Sequence, residues 1–141
     1  MPATRMTLSR FCRIRKLSRL LTIAVADLLR AEKRKGVSVR MSCWVNTHRG
    51  TCYVCLAGAS LLACRNWDAG KAASVVLTDC VWPRVRALNY LRVGRVSSAK
   101  LMMKNPYTNE LDREVADYHK NRDQFFADMK TLIKDLRAAK L

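Results

Sequence analysis

Apolar residues recur at intervals of three and four near the start of the chain, and this spacing constrains the fold more than any other feature of the sequence. Between Leu8 and Lys35 the repeating apolar positions are Phe11, Ile14, Leu17, Leu21, Val25 and Leu28. Residues at this spacing lie on one side of an α-helix, so the pattern predicts one long helix with a buried face. Gly36 is the predicted end of that helix.

Three later segments also have helical patterns. The most apolar, from Thr51 to Cys64, contains small residues that permit close packing, so we predict a buried central helix that Thr51 caps. A helix over residues 81–93 is predicted to begin after Asp79, its cap, and to stop at Gly94. The clearest amphipathic helix runs from Asp123 to Lys140, and its apolar face consists of Phe125, Phe126, Met129, Leu132, Ile133 and Leu136.

The stretch between the first two helical segments has a different pattern. Residues 37–45 alternate and include β-branched side chains, which predicts a short strand or an extended connection, with residues 46–50 as a turn. No repeat and no Gly/Ser linker divides the chain. We therefore expect a mainly α fold, a compact single-domain helical bundle over residues 1–141, with room for one short strand or hairpin near residues 37–53. Residues 1–40 form its basic helical segment and residues 41–141 its core.

The protein is strongly basic, and its charge is unevenly distributed. It has 27 Lys and Arg against 11 Asp and Glu, a formal net charge of +16. Residues 1–40 hold 11 basic and 2 acidic side chains, residues 41–100 hold 8 and 2, and residues 101–141 hold 8 and 7. Such a charge makes an anionic partner the default expectation. No segment approaches the about 20 apolar residues of a membrane-spanning helix, so we expect no transmembrane segment.

Most cations of the first segment fall on one side of the predicted helix. Residues four or eleven positions apart in a helix point in nearly the same direction. The basic positions on this side of the predicted helix are Arg15, Lys16, Arg19, Arg30, Lys33 and Arg34. Four arginines from the middle of the chain are further candidates for this surface: Arg84, Arg86, Arg92 and Arg95. Because Lys and Arg bind phosphates and release counterions, we predict a nucleic-acid-binding surface. An anionic membrane, an acidic protein or a calmodulin-like groove would attract the same helix.

The six cysteines lie mostly in apolar runs, so we expect reduced, partly buried thiols rather than a disulfide framework. A zinc site is the alternative, because a gap of two residues places two sulfurs on one side of a turn; its ligands would be Cys43, Cys52, Cys55 and Cys64. The outer gaps of eight residues do not match a zinc finger or ribbon. We therefore predict neither a metal nor another cofactor.

The acid-free start of the chain has a second interpretation. The first 26 residues contain six basic residues and end an apolar run at Ala26, as a cleaved targeting segment would. The helical pattern continues beyond this point through Leu28 and Leu29. We therefore prefer a native amphipathic helix, and whether residues 1–40 stay attached is left open.

No arrangement of residues in the sequence points to catalysis. The two histidines, His48 and His119, lie in polar segments without a nucleophile motif around them. The acidic residues between positions 110 and 117 alternate with basic ones, which is typical of exposed ion pairs. There is no phosphate-binding loop and no dinucleotide fingerprint. We predict that the protein is not an enzyme.

Several segments carry a resemblance to a known group of proteins. They are Met41-Ser42-Cys43-Trp44, Cys52-Tyr53-Val54-Cys55-Leu56-Ala57-Gly58-Ala59 and Arg86-Ala87-Leu88-Asn89-Tyr90-Leu91-Arg92-Val93-Gly94. With them the chain resembles small uncharacterised proteins of tailed bacteriophages and prophages that contain a C-x-V-C-L-A-G-A motif. Residues 118–119, 125–129 and 135–139 resemble the closing helix of that group, so the likeness covers most of residues 41–141.

This resemblance implies a compact viral protein acting in the cytoplasm of an infected bacterial host, and it transfers no catalytic or binding residue. Phage accessory proteins of this size often act by binding. We therefore predict a non-catalytic host-takeover or counter-defence protein that binds nucleic acid or a nucleoprotein complex through its basic helical face. Two alternatives stay open: a cationic pocket that sequesters a small anionic nucleotide messenger, and a role as a minor virion or assembly protein.

Overall fold

Seven helices and three short strands make up the described part of the chain, residues 6–106 and 110–141 of a computed structural model. In chain order the elements are α1 (Leu8–Phe11), α2 (Leu17–Lys33), β1 (Val37–Val39), β2 (Val45–His48), β3 (Thr51–Val54), α3 (Leu56–Cys64), α4 (Ala69–Val75), α5 (Trp82–Leu91), α6 (Val96–Met102) and α7 (Arg122–Ala138). The fold is mainly α, as the sequence predicts, but a small sheet packs beside the helices, so it is not a helical bundle alone.

The single N-terminal helix that the sequence predicts is broken by a loop at residues 12–16. In an unbroken helix the carbonyl oxygen of Ile14 would accept a hydrogen bond from the Ser18 N–H. Instead Ser18 N–H donates to the Leu141 carbonyl oxygen at 3.3 Å, and the Arg84 guanidinium donates to Ile14 O at 2.7 and 3.0 Å. Long-range hydrogen bonds replace the helical ones here, so the prediction of one unbroken helix is wrong.

The second of these helices, α2, is part of the core rather than an appendage. It packs against α3, α5, α7 and β1, and its largest fully buried side chains are Leu17, Leu20, Leu21 and Leu28. One continuous cluster of buried residues joins this helix to residues 41–141. Removing residues 1–40 would therefore expose the apolar face of α3, so substitutions are the appropriate test of the basic residues.

Residues 37–54 form a three-stranded sheet in the order β1-β3-β2. Strands β2 and β3 pair antiparallel as a hairpin, which turns at Arg49 and Gly50, both with positive φ. Strand β1 pairs parallel with β3, with Val37 opposite Cys52. The sequence predicts a strand or a hairpin in this region, and the structure contains both. The predicted turn at residues 46–50 is shorter, because residues 46–48 belong to β2.

Helix α3 is the central helix, and every one of its residues is buried. Its predicted start at Thr51 is wrong, because residues 51–54 form β3 and Cys55 caps the helix, its Sγ accepting a hydrogen bond from the Gly58 N–H at 3.4 Å. A helix that is apolar on all sides has no periodicity to distinguish it from a buried strand. Gly58 lies against the backbone of Trp44, where a Cβ would be 1.6 Å from the carbonyl oxygen, so only glycine fits.

The last helices close the core. Helix α5 begins after Val81, so Asp79 is not its cap as predicted. Helix α7 lies close to its predicted bounds and is capped by the side chain of Asn121. Four of its predicted core residues are fully buried, and two, Phe126 and Ile133, are half-buried. In the part of the chain that the structure describes, no helix has both the length and the apolar character needed to cross a membrane.

One carboxylate lies inside this core. Asp27 on α2 is only 3% exposed, and its Oδ1 accepts a hydrogen bond from Arg30 at 2.7 Å. The Ser60 hydroxyl on α3 faces this carboxylate and favours its charged form, but among the described residues neither Asp27 Oδ2 nor Ser60 Oγ has a partner with the geometry of a full hydrogen bond. Burial raises the pKa of Asp27 to about 6, against the opposing effect of Arg30. The folded protein therefore holds a proton on Asp27 more tightly than the unfolded chain does.

This burial predicts a pH-dependent stability difference between the protein and its Asp27→Asn variant. A raised pKa contributes stability that is fully present below the unfolded pKa, near 3.8, and is lost as pH rises through about 6. We expect Asp27→Asn to raise the free energy of unfolding by about 2 kcal/mol at pH 8, since two pKa units correspond to about 3 kcal/mol and part is offset by the lost Arg30 contact. Urea unfolding of both proteins between pH 4.5 and 8 tests this, and a difference independent of pH would contradict it.

Candidate anion-binding surface

Five cations converge around Ile14 on the loop between α1 and α2. They line an open hollow of about 370 Å³ that no described acidic side chain lines, and we call them the N-terminal cluster: Arg10, Arg13, Arg15, Lys16 and Arg19. Ile14 is buried and anchors the loop, whereas its basic neighbours Arg13 and Arg15 are exposed. The apolar anchor therefore fixes the backbone while the charges remain available to a ligand.

Two contacts hold this loop in place, one with Cys80 before α5 and one with Arg84 in the first turn of α5. Cys12 and Cys80 form a disulfide with a Cα–Cα distance of 5.2 Å. The Arg84 guanidinium donates to the carbonyl oxygen of Ile14, as described above, and to that of Cys80 at 2.6 Å. The expectation that all six cysteines are thiols is thus wrong for this pair. The cluster is preorganised because its backbone is fixed before any ligand arrives.

Arg84, a predicted member of the anion-binding surface, uses three of its N–H groups on backbone carbonyls. Burial lowers the pKa of Arg84, and the nearby positive charge of Arg15 lowers it further. This side chain therefore positions the loop, and Arg15 is the cation that faces solvent beside it.

A second group of cations surrounds a tryptophan at the other end of α2. We call it the Trp67 cluster; it lines an open hollow of about 500 Å³ and consists of Trp67 with Arg30, Lys33, Arg34 and Lys35. The Arg34 guanidinium lies over the Trp67 ring, 4.6 Å from its centroid. Trp67 follows Asn66 in a left-handed turn, with φ of 62° and 57° respectively. A bulky residue rarely adopts this conformation, which here directs the indole toward the end of α2.

The two clusters are separate surfaces at opposite ends of α2. Arg19 and Arg30 lie eleven residues apart, which corresponds to about 17 Å along α2 at nearly the same azimuth. Arg15 and Lys16 lie in the loop and not on the helix, so the six predicted cations do not form one continuous helical face. The structure groups three of them with the N-terminal cluster and three with the Trp67 cluster.

The other three predicted arginines line neither hollow. Arg86 is exposed, with its guanidinium carbon 6.0 Å from the centroid of the Trp82 ring. Arg92 donates to Asn89 Oδ1 at 3.1 and 3.3 Å. Arg95 is exposed and precedes α6. These side chains add to the positive field but are not brought together with the cations of α2.

The geometry gives no support to the zinc alternative. Within residues 6–106 and 110–141, no three metal-ligating side chains are grouped. Cys55 and Cys64 stand at opposite ends of α3, about 13 Å apart along its axis. Burial also raises the pKa values of the Cys52 and Cys55 thiols, which opposes formation of the thiolates that bind zinc.

The histidine and carboxylates near the start of α7 support the backbone. His119 Nε2 accepts a hydrogen bond from the Met41 N–H at 3.1 Å. Asp112 accepts hydrogen bonds from the N–H and the hydroxyl of Ser97, and Asp117 accepts one from the His119 N–H. These acidic residues fix the segment that precedes α7, rather than forming the exposed ion pairs that the sequence predicts.

Four members of the two clusters lie outside the basic surface that the sequence predicts. Arg10 and Arg13 lie off the predicted stripe and join it only because the loop turns back at residues 12–16. Lys35 lies beyond α2, and Trp67 is distant in sequence. No local pattern predicts that Trp67 meets the end of α2, since this depends on how α3 ends.

Comparisons with protein-family profiles, with curated proteins and with solved structures each find no match to this chain.

Proposed function

We propose that this protein is a non-catalytic bacteriophage accessory protein that binds nucleic acid, either free or within a nucleoprotein complex. Its cations would contact the phosphate backbone of that nucleic acid. The N-terminal cluster carries the proposal, because five cations surround one hollow without a described carboxylate among them. Lys and Arg side chains that contact phosphates release counterions and supply affinity without reading a sequence. A loop fixed by the Arg84 hydrogen bonds, and in the oxidised protein also by the Cys12–Cys80 disulfide, loses little conformational freedom when it binds.

The Trp67 cluster extends this surface along α2. A rigid helix holds the two clusters about 17 Å apart, so a long polyanion can contact both while a single phosphate can contact only one. Binding at the second cluster then becomes intramolecular, which strengthens the overall affinity. This favours a nucleic-acid strand or duplex over an isolated phosphate group.

The resemblance of residues 41–141 to tailed-phage proteins supports the biological setting that we propose. The protein would act in the cytoplasm of the infected bacterial host as a takeover or counter-defence factor. A minor virion or assembly role would use the same basic surface, since packaged nucleic acid presents the same phosphates.

A small nucleotide is the second candidate ligand, and the Trp67 cluster is the observation that favours it. An indole beside four cations can stack on a base while Lys and Arg bind its phosphates. The Arg34 guanidinium already covers the ring at 4.6 Å, so a base would have to displace it or stack on the guanidinium itself.

A salt titration of the full chain distinguishes these candidates. Binding to fluorescent single- and double-stranded DNA and RNA is measured beside binding to mononucleotides and cyclic nucleotides. For duplex DNA we expect the logarithm of the binding constant to fall linearly with the logarithm of salt concentration, with a slope of about −5 if six phosphates are contacted. The Trp67→Leu variant is measured in parallel.

The result expected from our proposal is salt-sensitive duplex binding that Trp67→Leu changes little. Saturable nucleotide binding that depends little on salt and is lost in Trp67→Leu would instead favour a small nucleotide as the ligand. The absence of polyanion binding at low salt would overturn the proposal.

A further inference from the structure

A groove between α2 and α7 lies apart from both cationic clusters. It has a volume of about 770 Å³, is open to solvent and is lined by Thr22, Val25, Ala26, Leu29, Arg122, Phe126, Lys130, Thr131, Ile133, Lys134 and Arg137. The two helices run antiparallel, because Arg137 contacts Thr22 at one end while Arg122 binds Glu32 at the other. From Arg122 to Arg137 the groove extends for about 22 Å.

The floor of the groove is apolar. Val25, Phe126 and Ile133 are half-buried, and Leu29 is 36% exposed. On α2 these positions follow the three- and four-residue spacing of a helical stripe, which lies beside the stripe that packs on α3. The helix therefore presents two apolar faces, of which only one is covered by the core.

The rim of the groove is positive. Arg122, Lys130, Lys134 and Arg137 line it, and no acidic side chain of the described residues does. Two carboxylates of α7 bind elsewhere: Asp128 accepts a hydrogen bond from the Ala116 N–H at 2.8 Å, and Asp135 forms an ion pair with Arg113. The third, Asp123, pairs with Arg122 at the end of the groove. Asp128 and Asp135 thus face the segment before α7, whereas Lys130, Lys134 and Arg137 face the groove.

The far end of the groove is fixed by an ion pair. Glu32 accepts hydrogen bonds from two nitrogens of Arg122, each at 2.7 Å, and one from the Tyr118 hydroxyl. Burial opposes ionisation of Glu32, but the hydrogen bonds from Arg122 and Tyr118 outweigh it, so the pKa of this carboxyl is lower than its ordinary value. The groove therefore keeps its shape at neutral pH, and in the part of the chain that the structure describes its three other cations have no acidic partner along the rim.

We propose that this groove is a docking site for an amphipathic helix of a partner protein, with apolar residues along one side and carboxylates beside them. An open channel between two helices fits a third helix, whose apolar residues at i, i+3, i+4 and i+7 would pack on the floor. Its carboxylates would pair with Lys130, Lys134 and Arg137. A second copy of this chain is a poor occupant, because a symmetric contact would bring two cationic rims together.

The probe for this proposal is a fluorescent peptide of about 16 residues, which matches the groove at 1.5 Å per residue. It carries leucines at the helical spacing, glutamates on the flank beside them and alanine or glutamine elsewhere. A scrambled peptide of identical composition has the same charge without the apolar stripe, so it measures non-specific attraction to a basic protein.

Two double variants with equal net charge test the site. Lys130→Glu with Lys134→Glu changes the rim, and Lys71→Glu with Lys120→Glu changes exposed lysines outside it. We expect the peptide to bind with a Kd of about 10 μM, and we expect the rim variant to weaken binding about 10-fold or more, while the control variant changes it less than about 3-fold. We expect the scrambled peptide to bind about 10-fold or more weakly than the patterned peptide.

Three results would overturn the proposal: no binding of the patterned peptide below about 1 mM, equal effects of the two variants, or equal binding of the two peptides. Rim-dependent binding of sodium dodecanoate without binding of the peptide would instead assign the groove to an anionic amphiphile and reject a helical partner. The rim lysines lie outside the N-terminal cluster. Failure of the docking proposal therefore leaves the proposed nucleic-acid function untouched, and failure of the nucleic-acid function leaves the docking proposal untouched.

Discussion

We expect replacement of Arg15 and Arg19 by glutamate to lower the affinity for duplex DNA by about 100-fold, because two charge-assisted contacts to phosphates would contribute about 3 kcal/mol together. Both side chains are exposed and belong to the N-terminal cluster, and neither forms an ion pair within the described residues. The slope of the salt dependence should also fall in magnitude by about 2, since two fewer counterions are released. Fluorescence anisotropy across a salt series measures both quantities.

The matched control for this variant is Lys71→Glu with Lys120→Glu, which changes the net charge by the same amount. Those lysines are exposed and line neither cluster, so we expect at most about a 5-fold loss from long-range electrostatics alone. Circular dichroism should show both variants to be folded, because none of the four side chains is buried. Equal losses in the two variants would mean that net charge, and not the cluster, determines binding.

Helical spacing predicts only part of this surface, because the rest depends on contacts between distant segments of the chain. Helical spacing correctly relates Arg19 to Arg30, since both lie on α2. It fails for Arg15 because Arg84 and the Cys12–Cys80 disulfide bind the loop before the helix starts. Both partners are about 70 residues away in the chain, and no local pattern reports such contacts.

The same limit applies to the core. The apolar positions of α7 identify its buried face, because only one side of that helix is covered. Helix α3 is buried on all sides, so its boundary depends on the pairing of residues 51–54 with β1 and β2. Pattern analysis therefore finds the amphipathic helices and their faces, while strand pairing and loop position depend on contacts between distant segments.

The apolar groove is a further consequence of this limit. Val25, Phe126 and Ile133 fit a buried stripe in the sequence, yet each is only half-buried. A hydrophobic position is assigned to the core by its spacing, and spacing does not reveal whether the protein supplies a partner for it. The difference between predicted and observed burial at these residues locates the α2–α7 groove.

Replacing Cys12 and Cys80 by serine should have the largest effect on stability. The disulfide closes a loop with a sequence separation of 68, and a cross-link of this length stabilises the folded state by about 4 kcal/mol in the chain-entropy treatment. For a chain of 141 residues this corresponds to a fall in Tm of roughly 10–15 °C. Thermal and urea unfolding of the double variant measure it. Cys43→Ser is the control, because it removes a half-buried thiol without removing a cross-link.

Reduction provides an independent form of this experiment. A reducing agent should lower the Tm of the native chain to that of Cys12→Ser/Cys80→Ser and leave the variant unchanged. Thiol titration in denaturant should find four thiols per chain without reductant and six with it, and six in both conditions would contradict the disulfide.

Loss of the disulfide should also affect the proposed function. In a reducing cytoplasm the Cys12–Cys80 pair is expected as two thiols, so the hydrogen bonds from Arg84 alone would hold the loop. The loop then has more freedom before binding, and ordering even one residue costs about 1–2 kcal/mol. We therefore expect the reduced protein to bind duplex DNA about 5- to 30-fold more weakly at a temperature where it is still folded. Equal affinity of the two forms would mean that Arg84 is sufficient to position the N-terminal cluster.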